Sequence, residues 1–131
     1  VLAQATLGSG RAEAQSLSQR SLDDWLAEQF TRAPGMGHVE WLRSQGYEAE
    51  EFRYSQRGLD NTVWRAFIGG EDALRQRVVF ALSEICVVSV LGVDSAWRQF
   101  ALAYYLDILQ THAFGNYRQL LEALTLSPAM G

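Results

Sequence analysis

Apolar side chains recur along this chain three and four residues apart, and no stretch alternates in the manner of a strand. That period draws one apolar stripe along each segment and predicts helices throughout. A short helix over Leu2–Leu7 ends at Gly8-Ser9-Gly10, and a second, mostly polar one covers Arg11–Leu17. Ser21 is placed to cap the third. Its hydroxyl can accept an orphan amide hydrogen bond, and Asp23 and Asp24 suit the positive end of the helix dipole. Leu22, Trp25, Leu26 and Phe30 form that helix's stripe, and Pro34-Gly35-Met36-Gly37 ends it. His38–Gln45 follows, closed by Gly46, which tolerates positive φ. The charged run Tyr47–Arg57 reads as a loop and as the most mobile part of the chain.

The second half carries the strongest patterns. Leu59–Ile68 is a helix broken by Gly69-Gly70. Glu71 and Asp72 then open what reads as the longest helix, running to about Ser89 and apolar nearly all round from Val78 onward, so it is expected to be the buried centre. Asp94 or Ser95 is expected to cap a helix over 95–112, with Trp97, Phe100, Ala101, Tyr104, Ile108 and Leu109 facing the core. Phe114-Gly115-Asn116 links it to a last helix over 116–126, striped by Tyr117, Leu120, Leu121 and Leu124. The fold implied is all-α: an irregular bundle of five to seven helices, with two long central helices packed antiparallel.

Composition narrows the function classes. The 131 residues are 48% hydrophobic and 20% charged, enough for a single helical domain over 1–131 with one core. A net charge of -4 argues against a general nucleic-acid surface. All 11 basic residues are Arg. This fits a biased codon usage as well as it fits bidentate contacts to carboxylate or phosphate. Cys86 is the sole cysteine, so no disulfide can form within the chain, and no Cys/His spacing suggests zinc. No apolar run reaches the length of a membrane span. Gly8-Ser9-Gly10 lacks the later Gly and the Lys of a phosphate loop, and no nucleophile elbow occurs, so no cofactor or metal is expected.

Six residues are candidates for chemistry. Glu84, beside Ser83, interrupts an apolar helix; a buried carboxylate there needs a partner, and Arg75, Arg77 or Arg98 could supply it. The same Glu84 could instead be a functional acid or reach solvent. His112, at a helix C-terminus, is a cap or surface residue, or else a general base with Asp107 as its orienter. Five residues of helix put those two roughly 140° apart, which disfavours the pair. Arg75, Arg77 and Tyr104 are the candidate binding residues. Trp25, Trp41, Trp64 and Trp97 could line a pocket, but their helical spacing reads as core.

The runs LRQRVVFALSEICVVS and YYLDILQTHAFGNYRQLLEALTLSPAMG resemble the bacterial Domain of Unknown Function 1800 family. So does the opening LAQATLGSGRAEAQSLSQRSLDDWLAEQF. The most specific parts are Arg75-x-Arg77, Val87-Val88-Ser89 and His112-Ala113-Phe114-Gly115-Asn116-Tyr117. The resemblance implies a protein several times longer, of a kind often exported and often encoded beside a second uncharacterised, sulfatase-like family. Val1 in place of Met, and an end on Pro128-Ala129-Met130-Gly131, agree with an N-terminal fragment. Some members carry Trp-His-x-His-Phe where this chain has Leu82-Ser83-Glu84-Ile85-Cys86, so no catalytic residue carries over. Two functions remain open. One is an assembly module that self-associates or meets a protein partner through exposed apolar surface. The other is part of a hydrolase-like enzyme whose site is completed by the missing C-terminal region.

Overall fold

The computed structural model describes residues 2–8 and 10–130; Val1, Ser9 and Gly131, which the expected fragment ends and the first glycine break include, lie outside them. The elements are α1 (Leu2–Ala5), α2 (Arg11–Ser18), α3 (Leu22–Thr31), α4 (His38–Ser44), a 3-10 turn (Glu50–Phe52), α5 (Leu59–Gly69), α6 (Ala73–Ile85), α7 (Arg98–His112) and α8 (Tyr117–Thr125). Among the described residues there is no strand, and seven of these helices have seven residues or more. The fold is the expected all-α bundle. Its central pair is antiparallel: Arg75 in the first turn of α6 donates to the Gln110 carbonyl near the end of α7 at 3.0 Å. Just past the other end of α6, Cys86 O accepts from the Tyr105 hydroxyl at 2.6 Å.

Local chemistry sets several boundaries where the sequence places them. Ser21 Oγ accepts from the Asp24 amide at 3.1 Å, and Asn116 Oδ1 from the Arg118 amide at 2.9 Å. Gly46 takes φ 78°, with its amide on Arg43 O and that of Tyr47 on Leu42 O, closing α4 in a Schellman turn.

The centre of the bundle is α7, not α6. At 15 residues α7 is the longest helix, against 13 for α6, and it packs on α4, α6 and α8. Leu102, Ala103, Tyr105, Ile108 and Leu109 are buried along it, and Tyr105, Ile108 and Leu109 join Val79, Leu120 and Leu124 in the main core. The α6 helix stops at Ile85, short of Ser89, and the backbone from Val87 to Ser89 is irregular. Its apolar girth is also not all buried: Phe80 and Ile85 face outward, as do Val87 and Leu91 beyond its end.

Three further expectations are corrected. Neither Asp94 nor Ser95 caps α7. Trp97 does so in the left-handed region (φ 61°), with its amide donating to Arg53 O at 2.7 Å. The expected loop over Tyr47–Arg57 is fastened at that point: Arg98 donates to Tyr54 O and Gln99 to Phe52 O, each at 3.0 Å. Inside the segment, the Tyr47 ring packs edge-on to Phe52 with centroids 5.2 Å apart. Of the four tryptophans expected as core, Trp25 is buried and Trp41 and Trp97 are half-buried, while Trp64 is exposed.

Candidate functional site

A polar layer runs through the interior where residues 33–38 cross the start of α6 and the last turns of α7. It exists because the segment between α3 and α4 has glycines where a helix start wants a capping side chain. Gly37 offers none to α4, and the first amides of that helix are served from α7 instead. Asp107 accepts from the His38 amide at 2.6 Å and the Val39 amide at 3.1 Å. A Cβ on Gly37 would stand 3.2 Å from that carboxylate, so glycine is what lets Asp107 approach.

Each side chain in the rest of the layer has at least one partner, while His38 Nε2, Asp72 Oδ1, Gln76 Oε1 and Gln110 Oε1 are buried without a hydrogen bond. Gln110 Nε2 donates to Gly35 O at 3.1 Å. Arg75, almost wholly buried, donates to Gln110 O and, at 3.1 Å, to Arg32 O. Its guanidinium lies 4.6 Å from the Phe114 ring centroid and its Nε 3.8 Å from Asp72 Oδ2. Asp72 Oδ2 also accepts from Gln76 at 3.1 Å. His38 is fully buried, with Nδ1 3.1 Å from Thr62 Oγ1. Burial pushes its imidazole below the usual pKa; Asp107 opposes that shift and Arg65 reinforces it. The layer opens to solvent at a cleft of about 340 Å³, lined by Arg32, Gly35, Met36, Arg65, Gly70 and Asp72.

The structure distributes the six candidates over different places. Arg75 and Asp107 share the polar layer, each holding a neighbouring main chain. Glu84 is exposed on α6 and has none of the expected arginine partners: Arg75 is committed as above, Arg77 lies over the Phe80 ring, and Arg98 serves Tyr54 O. It lines a groove of about 460 Å³ with Val63, Trp64, Val87 and Tyr105. Tyr104 is exposed in a separate groove of about 610 Å³ with Trp97 and Phe100. His112 is half-buried at the end of α7, and Asp107, turned to α4, does not orient it.

Among the described residues no three His, Cys, Asp or Glu side chains gather as metal ligands. Nor is any described helix long and apolar enough to cross a membrane. His38, Asp72, Gln76 and Gln110 were not singled out for a site in the sequence. The available signal was the pair of glycines flanking Met36, which implies that distant side chains must fill the space.

A second feature lies outside this layer. On α5, Trp64 is 62% exposed and Ile68, one turn on, 79%. Trp64 meets Phe67, and Phe67 meets Phe80 of α6, in edge-on ring contacts with centroids 6.5 and 6.0 Å apart. With Ile85, Val87 and Leu91 also exposed, α5, α6 and the segment after it present an apolar surface.

No match to the chain is found among curated proteins, and none among solved structures. A family model described as Protein of unknown function (DUF1800) matches residues 1–131, the whole chain, and the chain belongs to that family.

Proposed function

We propose that this domain is the helical N-terminal part of an exported bacterial protein and acts as an assembly module, with the outer face of α5 and α6 covered by another polypeptide. The observation that carries the reading is the exposure of Trp64 and Ile68 on α5, with Trp64 joined to exposed Phe80 of α6 through the Phe67 ring. Exposed apolar patches with an aromatic at their centre mark interaction sites more often than chance surface does. The export setting rests on the family resemblance alone. The hydrolase-like reading draws less support, because Glu84, Tyr104 and the Arg75–Asp107 layer occupy separate places.

Native mass spectrometry of the purified protein, beside binding of an apolar fluorescent dye, tests this. The expected result is self-association or strong dye binding, both removed by Trp64→Ser with Ile68→Ser. A clean monomer that binds no dye overturns the reading.

A further inference from the structure

α5 and α6 run side by side in opposite directions. Phe67 meets Phe80 at one end, while Asp60 and Val63 share a groove of about 460 Å³ with Glu84 and Val87 at the other. Leu102, Tyr105 and Leu106 of α7 close its floor. Two outer rows border this surface. On α5, Asp60, Trp64 and Ile68 stand one turn apart and all are exposed; on α6, Phe80 and Glu84 do the same, with exposed Val87 just beyond the helix end. The α5 row is about 12 Å long, a little over two helical turns. The surface is therefore polarised: Ile68 and Phe80 make an apolar end, and Asp60 and Glu84 an acidic one.

Charge sets this groove apart. In the clefts of about 340, 520, 540 and 610 Å³, every lining carboxylate is matched by a lining guanidinium. The 460 Å³ groove has two carboxylates and no guanidinium. Asp60 also lines the neighbouring cleft with Arg57, yet among the described residues neither Asp60 nor Glu84 is in an ion pair. Arg77 lies over the Phe80 ring, at the apolar end. Among the described residues no guanidinium covers Trp64, whereas Arg65 covers Trp41. Both carboxylates are exposed and hydrated, so folding does not require them to be paired. They select what docks on the apolar rows.

Resting on the reading that another polypeptide covers this face, we propose that the partner segment is an amphipathic helix bearing arginine. Its apolar stripe lies along Trp64, Ile68 and Phe80, and arginines about one turn beyond that stripe reach Asp60, Glu84 and the face of the Trp64 ring. A helix with acidic residues at that end is repelled.

The probe is a stapled helical peptide of about 14 residues, with a leucine stripe and arginines a turn beyond it, beside versions carrying glutamine or glutamate in place of arginine. Fluorescence anisotropy of the labelled peptides with the purified protein gives the affinities. The arginine peptide should bind about tenfold tighter than the glutamine one, with the glutamate one weaker still, and high salt should shrink the difference. Asp60→Asn with Glu84→Gln should remove that advantage and leave the glutamine peptide unchanged. Glu48→Gln with Glu122→Gln, the same charge removed outside the groove lining, should leave every affinity as it was. All four acids are exposed, so both variants keep the parent fold. The proposal is overturned by equal affinities of the peptides, by an arginine advantage that survives Asp60→Asn with Glu84→Gln, or by one that Glu48→Gln with Glu122→Gln also abolishes. Failure of every peptide to bind overturns it too. If the protein then still self-associates or binds dye through Trp64 and Ile68, the assembly reading stands without this partner; if it is a monomer that binds no dye, both fall.

Discussion

Asp107 Oδ1 accepts the His38 main-chain amide at 2.6 Å across 69 residues of sequence, so α7 supplies the cap that α4 lacks. Removing that carboxylate strands two amides at a helix start where Gly37 offers nothing in exchange. Asp107→Ala is expected to cost about 1–3 kcal/mol in urea unfolding. Asp107→Asn, which keeps one acceptor, should cost clearly less. Equal losses would show that the helix does not depend on this cap.

Arg75 carries a heavier burden. It satisfies the carbonyls of Arg32 and Gln110 and is the positive charge beside buried Asp72. Arg75→Leu fits the space but leaves the carboxylate uncompensated, and a loss of about 3–5 kcal/mol is expected. Arg75→Lys should recover only part of it, since one ammonium cannot span two carbonyls set by a planar fork. Thermal unfolding of the two variants gives the comparison.

Acid should loosen the fold through His38. Its folded pKa is lowered from 6.5 by burial, so the unfolded chain binds the proton first as pH falls. Stability is therefore full above that value and declines below it, by at most about 1.4 kcal/mol per pH unit for one proton. Glu28, held below its ordinary 4.5 by Arg20 and then Arg32, adds a further decline at lower pH. Denaturation midpoints between pH 7 and pH 5 should slope downward in the parent protein and flatten in His38→Gln.

Leu109 and Glu84, both set in apolar helical runs, should part company when removed. Leu109 is fully buried on the central helix, and Leu109→Ala is expected to cost about 2–5 kcal/mol. Glu84 is exposed, and Glu84→Ala should stay within about 0.5 kcal/mol of the parent. A large loss at Glu84, measured by chemical denaturation, would mean that it is clipped to a partner after all.

These contrasts show where sequence reasoning reaches. The Ser21, Gly46 and Asn116 boundaries were legible because each depends on atoms within a few residues. The burial of α6 was not: its apolar residues run round the helix, and nothing local says which side the bundle covers, so the sequence leaves Glu84 open between a buried partner and solvent. Asp107 and Asp72 were named for charge and position, but their roles rest on Gly37 and Gly35, 70 and 37 residues away in the chain, and no periodicity carries such information.

The clasp of Trp97, Arg98 and Gln99 on the carbonyls of residues 52–54 sets an order of events during synthesis. Residues 50–54 leave the ribosome without their hydrogen-bonding partners, which follow some 44 residues later. At ordinary elongation rates that is a wait of about 2–9 s, while α5 and α6 already emerge with their own helical order. The stretch from Tyr47 to Arg57 is thus the natural place for a chaperone or protease to engage the nascent protein. Its protection arrives only when the start of α7 appears.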